Sequence, residues 1–170
     1  DPVLDLRLCP DLDKSPRMPH LVIVDSRLET PPSAQLFSHS GPEAATPRQV
    51  WLYAAVDDPA KRAALESKGA HVTLLPNPHG KVDLAALLTD LARREVNELH
   101  VEAGHKLNGS LIRASCVDEF LVYLAPKMLG PGQGMAEWGP LHDLSQALTL
   151  EFTETQLIGK DLRVLARVKA

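Results

Sequence analysis

Residues 50–59 read VWLYAAVDDP and indicate the architecture of the chain most directly. The apolar run Val50–Val56 is uninterrupted, which is typical of a β-strand that is covered on both faces. Asp57-Asp58-Pro59 can cap a helix, because Asp accepts hydrogen bonds from free amides and Pro suits the first helical position. That helix is predicted to run to Lys68 and to stop at Gly69. A buried strand followed at once by a helix predicts an α/β protein.

The same alternation continues on both sides of this stretch. Short apolar runs predict four further strands, at Leu21–Val24, His71–Leu75, Leu99–Val101 and Phe120–Ala125. Two further helices are predicted, one that Asp83 can cap and that runs to about Glu95, and one from about Lys106 to Ala114. Two alternating runs then predict a hairpin, with Leu148–Ile158 and Leu162–Val168 joined by Gly159-Lys160-Asp161.

These elements predict an open α/β fold without an internal domain boundary. We expect a mixed, mostly parallel sheet, flanked by helices and extended by the C-terminal antiparallel hairpin.

Composition and charge exclude several classes of protein. Of the 170 residues 44% are apolar and 24% are charged, which excludes intrinsic disorder. The net charge of −4 provides no electrostatic basis for binding nucleic acid or an anionic membrane. Cys9 and Cys116 are too few for a four-ligand zinc site, and the seven histidines form no metal-binding motif. We expect a cytoplasmic protein with no metal, no nucleic-acid partner and no membrane contact.

Residues 101–110, VEAGHKLNGS, are the strongest candidate for a functional site. Here a predicted strand ends in Glu102, turns through Gly104 and enters a helix. Free amides at a helix start attract phosphate, and a glycine lets the phosphate approach the main chain. The spacing matches neither G-x-G-x-x-G nor a P-loop. The alternative is that Gly104 only makes a tight turn and that Gly109 only permits close packing of helix against strand.

Two charged residues have alternative interpretations as well. Glu102 is costly at the end of a strand unless it is solvated, paired or used by a ligand, so it is either a site residue or an ordinary exposed acid. Arg7 could bind a phosphate through two hydrogen bonds, or it could be a solvated surface charge.

Several segments resemble one known family. They are residues 96–104 (VNELHVEAG), 107–111 (LNGSL), 117–130 (VDEFLVYLAPKMLG), 1–7 (DPVLDLR) and 22–26 (VIVDS). In this order they resemble the reductase domain of the bifunctional riboflavin biosynthesis deaminase/reductase, over essentially the whole chain. The resemblance departs at Ala103-Gly104-His105, where the family often has Gly-Gly-Pro.

The resemblance implies a dihydrofolate-reductase-like fold and a defined reaction. This reaction is the NADPH-dependent reduction of 5-amino-6-(5-phosphoribosylamino)uracil to 5-amino-6-(5-phosphoribitylamino)uracil, with hydride transfer to C1′ of the ribose. It implies substrate contacts at Leu4, Arg7 and Glu102. It implies cofactor contacts at Ser26, Gly104, His105, Lys106, Leu107, Asn108, Gly109 and Ser110.

The resemblance also implies that residues 1–170 form a reductase domain without its first portion, and that the zinc deaminase domain of the family is absent from this chain. We expect a homodimer that takes a phosphorylated pyrimidine as substrate. Two alternatives are a reductase of the same fold for another pterin- or pyrimidine-like substrate, and a non-catalytic assembly module.

Overall fold

The computed structural model describes residues 19–37 and 48–169. The expected substrate contacts Leu4 and Arg7 lie outside this described part. The chain divides into two compact units, with the division between Arg94 and Glu95, where the sequence predicts no domain boundary. Each unit has its own three-stranded sheet in the described residues.

Both units combine helices and strands. The first contains β1 (Leu21–Val24), β2 (Val50–Ala54), α1 (Pro59–Glu66), β3 (Ala70–Leu74) and α2 (Leu84–Arg93). The second contains α3 (His105–Arg113), β4 (Glu119–Leu124), β5 (Leu150–Ile158) and β6 (Asp161–Val168). Single 3₁₀ turns lie at Gln35–Phe37 and Leu144–Gln146. Apart from Leu99–Val101, the predicted helices and strands are confirmed to within a few residues.

The sheet of the first unit is parallel, with β2 between β1 and β3. All five residues of β2 are buried, as its uninterrupted apolar run predicts. On one face, Val50, Leu52 and Ala54 belong to a hydrophobic cluster that includes Leu65 of α1. Burial of such side chains is the main stabilising contribution in this unit.

On the other face of β2, helix α2 supplies a polar partner. The buried Tyr53 hydroxyl donates a hydrogen bond to Asp90 over 2.7 Å, and Arg94 Nε donates to the same carboxylate over 2.8 Å. The hydrogen bond from Tyr53 lowers the pKa of Asp90, while burial raises the pKa of Tyr53. The Arg94 guanidinium also lies 5.4 Å from the ring centroid of Trp51. Helix α2 therefore supplies the hydrogen-bond partner of the buried Tyr53 hydroxyl.

Side-chain caps start α1 and α2 where the sequence predicts them. Asp58 accepts a hydrogen bond from the amide of Lys61 at 3.1 Å, and Asp83 accepts one from the amide of Ala86 at 2.9 Å. After α1 the chain turns through Gly69 at φ +87°, a left-handed conformation that glycine adopts without steric cost.

The sheet of the second unit is antiparallel, with β6 between β4 and β5. The β5–β6 hairpin turns at Gly159, where φ is +63°, and this confirms the predicted hairpin. Val164 and Ala166 of β6 are buried. Every residue of the edge strand β5 is exposed.

Leu99–Val101 is not a strand, contrary to the prediction. Residues 96–104 have no regular structure, and His100 and Val101 are exposed. Without a paired neighbour, a run of three residues cannot satisfy its backbone groups as a strand. The parallel and antiparallel strands of the described residues therefore form two sheets and not one mixed sheet. The predicted α/β class, with a parallel sheet, helices and a C-terminal antiparallel hairpin, is confirmed.

Candidate functional site

The start of α3 is the open part of the candidate cofactor site. Gly104 is the N-cap, with extended backbone and no side-chain cap. The amide of Asn108 donates to the carbonyl oxygen of Gly104 at 3.1 Å. The three amides before it, at residues 105–107, donate no hydrogen bond to any described residue. These three amides can therefore bind an anion.

Two glycines of this segment have opposite surroundings. Apart from its two chain neighbours, a Cβ on Gly104 would meet no atom of a described residue within 4 Å, so the missing side chain leaves space at the helix start. A Cβ on the buried Gly109 would lie 2.2 Å from the carbonyl oxygen of Glu137. Gly109 therefore has the packing role that the sequence left open, although its partner is a loop residue and not a strand.

Two further expected cofactor residues already bond to the protein itself. Asn108 Nδ2 donates to the carbonyl oxygens of Ala103 at 3.2 Å and Met135 at 2.8 Å. The hydroxyl of Ser110 donates to the carbonyl oxygen of Lys106 at 3.0 Å. The bonds of Asn108 therefore join α3 to residues outside the helix, and the bond of Ser110 joins its first two turns.

The other expected cofactor residues lie in the first turn of the helix. Lys106 is exposed and forms no ion pair with a described residue. His105 and Leu107 are half-buried, and the carbonyl oxygen of His105 accepts a hydrogen bond from the amide of Glu137 at 2.8 Å. The charge of Lys106, beside three amides that bond to no described residue, suits a negatively charged ligand.

Glu102 lies in the irregular segment before α3 and not at the end of a strand. Its side chain is 69% exposed, so the cost of burying a carboxylate, which the sequence suggested, does not arise. His100 Nε2 lies 3.4 Å from Glu102 Oε1. The carboxylate therefore retains free positions that can accept hydrogen bonds from a ligand.

Ser26 belongs to the first unit, where it follows β1. Its hydroxyl oxygen accepts a hydrogen bond from the amide of Val82 at 3.2 Å. The preceding Asp25 accepts hydrogen bonds from the amide and the hydroxyl of Thr30, both at 2.7 Å. Burial raises the pKa of Asp25, but the hydrogen bonds outweigh burial and lower it. Ser26 thus has a fixed position, and its hydroxyl proton is used by no described residue.

Arg113 is a residue of this region that sequence reasoning missed. From the last turn of α3, Nη1 donates to the carbonyl oxygen of Glu137 at 2.5 Å, and Nη2 donates to the hydroxyl of Ser110 at 3.2 Å. Glu137 is 24 positions further along the chain, so no local pattern reveals the contact. The available signal is the spacing of Ser110 and Arg113, which places both on one face of the helix.

Neither a metal cluster nor a membrane helix occurs in residues 19–37 and 48–169. No three His, Cys, Asp or Glu side chains there lie close enough together to hold a metal ion. No helix there is both long and apolar enough to cross a bilayer.

The described residues define an α/β protein with an open, glycine-capped helix start, the local geometry that other proteins use to bind phosphate. More particularly, the chain belongs to the RibD C-terminal domain family, whose model matches residues 2–164.

Known proteins support this assignment. The chain is 30% identical, over 147 residues, to the riboflavin biosynthesis protein RibD of Escherichia coli (strain K12), covering 86% of this chain and 37% of the relative. It is 26% identical, over 152 residues, to the 5-amino-6-(5-phosphoribosylamino)uracil reductase of Buchnera aphidicola, covering 89% and 68%. The structure of Acinetobacter baumannii RibD, form 2, superposes with a TM-score of 0.78 at 20% identity, covering 99% and 43%.

The structural likeness confirms the dihydrofolate-reductase-like fold that the resemblance implies. The chain spans well under half of the RibD relative from Escherichia coli.

Proposed function

We propose that the protein carrying this chain reduces 5-amino-6-(5-phosphoribosylamino)uracil to 5-amino-6-(5-phosphoribitylamino)uracil with NADPH, in riboflavin biosynthesis. Membership of the RibD C-terminal domain family supports the proposal, as does the reductase named in Buchnera aphidicola. The observation that carries it is the start of α3, where Gly104 leaves open space beside three free amides.

The residues at this helix start fit the phosphates of a dinucleotide. The amides of residues 105–107 can donate to phosphate oxygens, and the positive end of the helix dipole favours the negative charge. Lys106 adds a full positive charge, and Gly104 lets a phosphate approach the main chain. In this proposal Asn108, Gly109 and Ser110 support the turn. On the family resemblance alone, we also propose Ser26 as a contact of NADPH.

When bound, NADPH supplies a hydride for C1′ of the substrate ribose. The residues of the chain bind and orient the substrate for that reaction. Glu102 accepts hydrogen bonds from the substrate near the reacting ribose, since its carboxylate is exposed and has free positions. On the family resemblance alone, we also propose Leu4 and Arg7, which lie outside the described residues, as substrate contacts, with Arg7 the candidate for the phosphate. Correct orientation is the contribution of these groups to the rate.

We also propose that the protein is a cytoplasmic homodimer that pairs through the edge strand β5. Phe152 and Leu157 of β5 lie opposite Ala166 and Leu162 of β6. They are on the same face of the sheet as Val164, which is buried. Phe152 is nevertheless 72% exposed and Leu157 71%. On its outer edge β5 pairs with no described strand. An exposed apolar face at such an edge is typical of a surface that pairs with another strand.

Titration calorimetry of the whole protein with NADPH and with NADH tests the cofactor. We expect NADPH to bind more tightly, and oxidation of NADPH when the phosphoribosylaminouracil is added. Equal affinity for the two cofactors, or no binding of either, would contradict the proposal. Turnover of a different pterin or pyrimidine, without turnover of this substrate, would identify the alternative reductase.

The substitution Gly104→Ala tests the phosphate position. Apart from its two chain neighbours, a methyl group there meets no atom of a described residue within 4 Å, so the fold should tolerate it, whereas an approaching phosphate would collide with it. We expect NADPH to bind about tenfold more weakly, with an unchanged melting temperature. Gly132→Ala is the matched control, since Gly132 has equally open surroundings, and it should bind NADPH normally. Equal affinities in the two variants would place the phosphates elsewhere.

A further inference from the structure

Residues 135–137, which we call the strap, lie along α3 and are bonded to it at both ends of the helix. The amide of Glu137 donates to the carbonyl oxygen of His105, in the first turn, at 2.8 Å. The carbonyl oxygen of Glu137 accepts from Arg113, in the last turn, at 2.5 Å. The carbonyl oxygen of Met135 accepts from Asn108 at 2.8 Å. A single residue of the strap, Glu137, therefore links the first and last turns of the helix.

The contact between strap and helix is as close as a glycine permits. The carbonyl oxygen, carbonyl carbon and nitrogen of Glu137 lie 2.2, 2.7 and 2.9 Å from the position of a Cβ on Gly109. Real Cβ atoms do not approach main-chain atoms so closely, so any side chain at Gly109 would displace the strap. The position of the strap therefore depends on the absence of a side chain at Gly109.

Hydrogen bonds hold the strap to α3, and no side chain of the strap is fully buried. Met135 is 62% exposed, and Met128 and Leu129, which precede the strap, are almost fully exposed. The strap belongs to no helix or strand, so no regular backbone ladder supports it. A segment with few buried apolar contacts opens easily unless specific bonds close it. The bond from Arg113 to Glu137 is charge-assisted and is therefore the strongest type of bond in this set.

We propose that Arg113 is a positioning residue for the cofactor-binding turn and acts through the strap. Arg113 holds the carbonyl oxygen of Glu137, which fixes the Glu137 amide on the carbonyl oxygen of His105. That bond fixes His105, whose own amide is the first of the three free amides at the helix start. The inference rests on the proposed function, since it assigns the support of that same site.

Arg113→Met and Arg113→Lys test the inference in the whole protein. Arg113→Met removes both donors, and we expect its KM for NADPH to rise about tenfold, while kcat and the KM for the pyrimidine substrate stay within about twofold. Arg113→Lys keeps one donor within reach of Glu137 and should recover most of the NADPH affinity. Arg93→Met is the matched control, because Arg93 is likewise the last residue of its helix and its side chain forms no hydrogen bond with a described residue. This control should behave like the wild type.

Hydrogen exchange supplies a measurement that does not depend on activity. In Arg113→Met the Glu137 amide should exchange at least about tenfold faster than in the wild type, because its bond to His105 opens more often. If Arg113→Met is unstable, Arg113→Lys and Ser110→Ala, which removes the second acceptor of Arg113, are compared in its place. An unchanged KM for NADPH, or unchanged exchange at Glu137, would overturn the positioning role. Failure of the wild type to bind NADPH would instead overturn the proposed function.

Discussion

The central strand β2 of the first sheet and the edge strand β5 of the second are opposites in burial. All five residues of β2 are buried, and helices α1 and α2 supply partners for its two faces. All nine residues of β5 are exposed, including the aromatic ring of Phe152. Both strands carry apolar residues, so composition alone does not separate them.

The difference shows what each sheet requires. The first sheet has its stabilising contacts within its own unit, as expected of parallel strands that are covered on both faces. The second sheet is bonded through β6 but leaves an apolar edge uncovered, and such an edge is a liability for a monomer. We infer that β2 contributes much of the stability of its own unit, and the exposure of β5 supports the proposed pairing with a second chain.

The largest expected effect is that of Leu52→Ala in β2. Leu52 is completely buried, so the substitution leaves a cavity and should lower the free energy of unfolding by about 3 kcal/mol. Urea denaturation followed by circular dichroism measures this change. Leu129→Ala is the control, because Leu129 is 89% exposed and should change stability by less than about 0.5 kcal/mol. Similar losses in both variants would remove the special role of β2.

Tyr53→Phe should have an intermediate effect. It removes the hydroxyl that donates to Asp90, at a cost of about 1–2 kcal/mol. Tyr123→Phe in β4 is the control, since Tyr123 is 54% exposed and its hydroxyl bonds to no described residue, so its stability should not change. Equal stability of Tyr53→Phe and the wild type at neutral pH would contradict the prediction.

The difference between Tyr53→Phe and the wild type should also depend on pH. Because the Tyr53 bond lowers the folded pKa of Asp90 below its usual 3.8, its stabilisation is fully present above that value. It is lost as the pH falls through the lowered pKa. Urea midpoints measured from neutral pH downward should therefore converge in acid, and a constant difference would argue against a role for the Asp90 carboxylate.

Phe152→Glu should change the unfolding free energy of the single chain least, by less than about 0.5 kcal/mol. The reason is that Phe152 is 72% exposed. In the proposed dimer the same substitution places a charge on the paired apolar face. Sedimentation velocity should therefore show monomers. Gln156→Glu adds the same charge on the opposite face of β5 and should remain dimeric. A wild type that is monomeric at all concentrations would show that β5 needs no partner.

Local patterns predicted most of the fold. The caps Asp58 and Asp83, the buried run of β2 and the turn at Gly159 each depend on residues that are neighbours in sequence. The strand at Leu99–Val101 was wrong, because a strand exists only where a neighbouring backbone pairs with it. The division into two sheets could not be predicted for the same reason.

The sequence predicted the helix start of the candidate site but not the contacts of the residues that follow it. Gly104 and the free amides after it follow from a strand-like segment, a glycine and a helix in order, which is local information. Asn108, Gly109 and Ser110 belong to the same local sequence pattern. In the structure, however, they contact other protein atoms. Their partners include Met135 and Glu137, whose positions depend on the path of a loop.

The residue order alone settled the α/β class, the helix starts and the glycine at the candidate phosphate site, because hydrogen bonds and backbone preferences between neighbours suffice for these. The tertiary structure settled which glycine is open and which is covered, the link from Arg113 through Glu137 to His105, and the exposure of β5. These features depend on contacts between residues far apart in the chain, and no local pattern specifies such contacts.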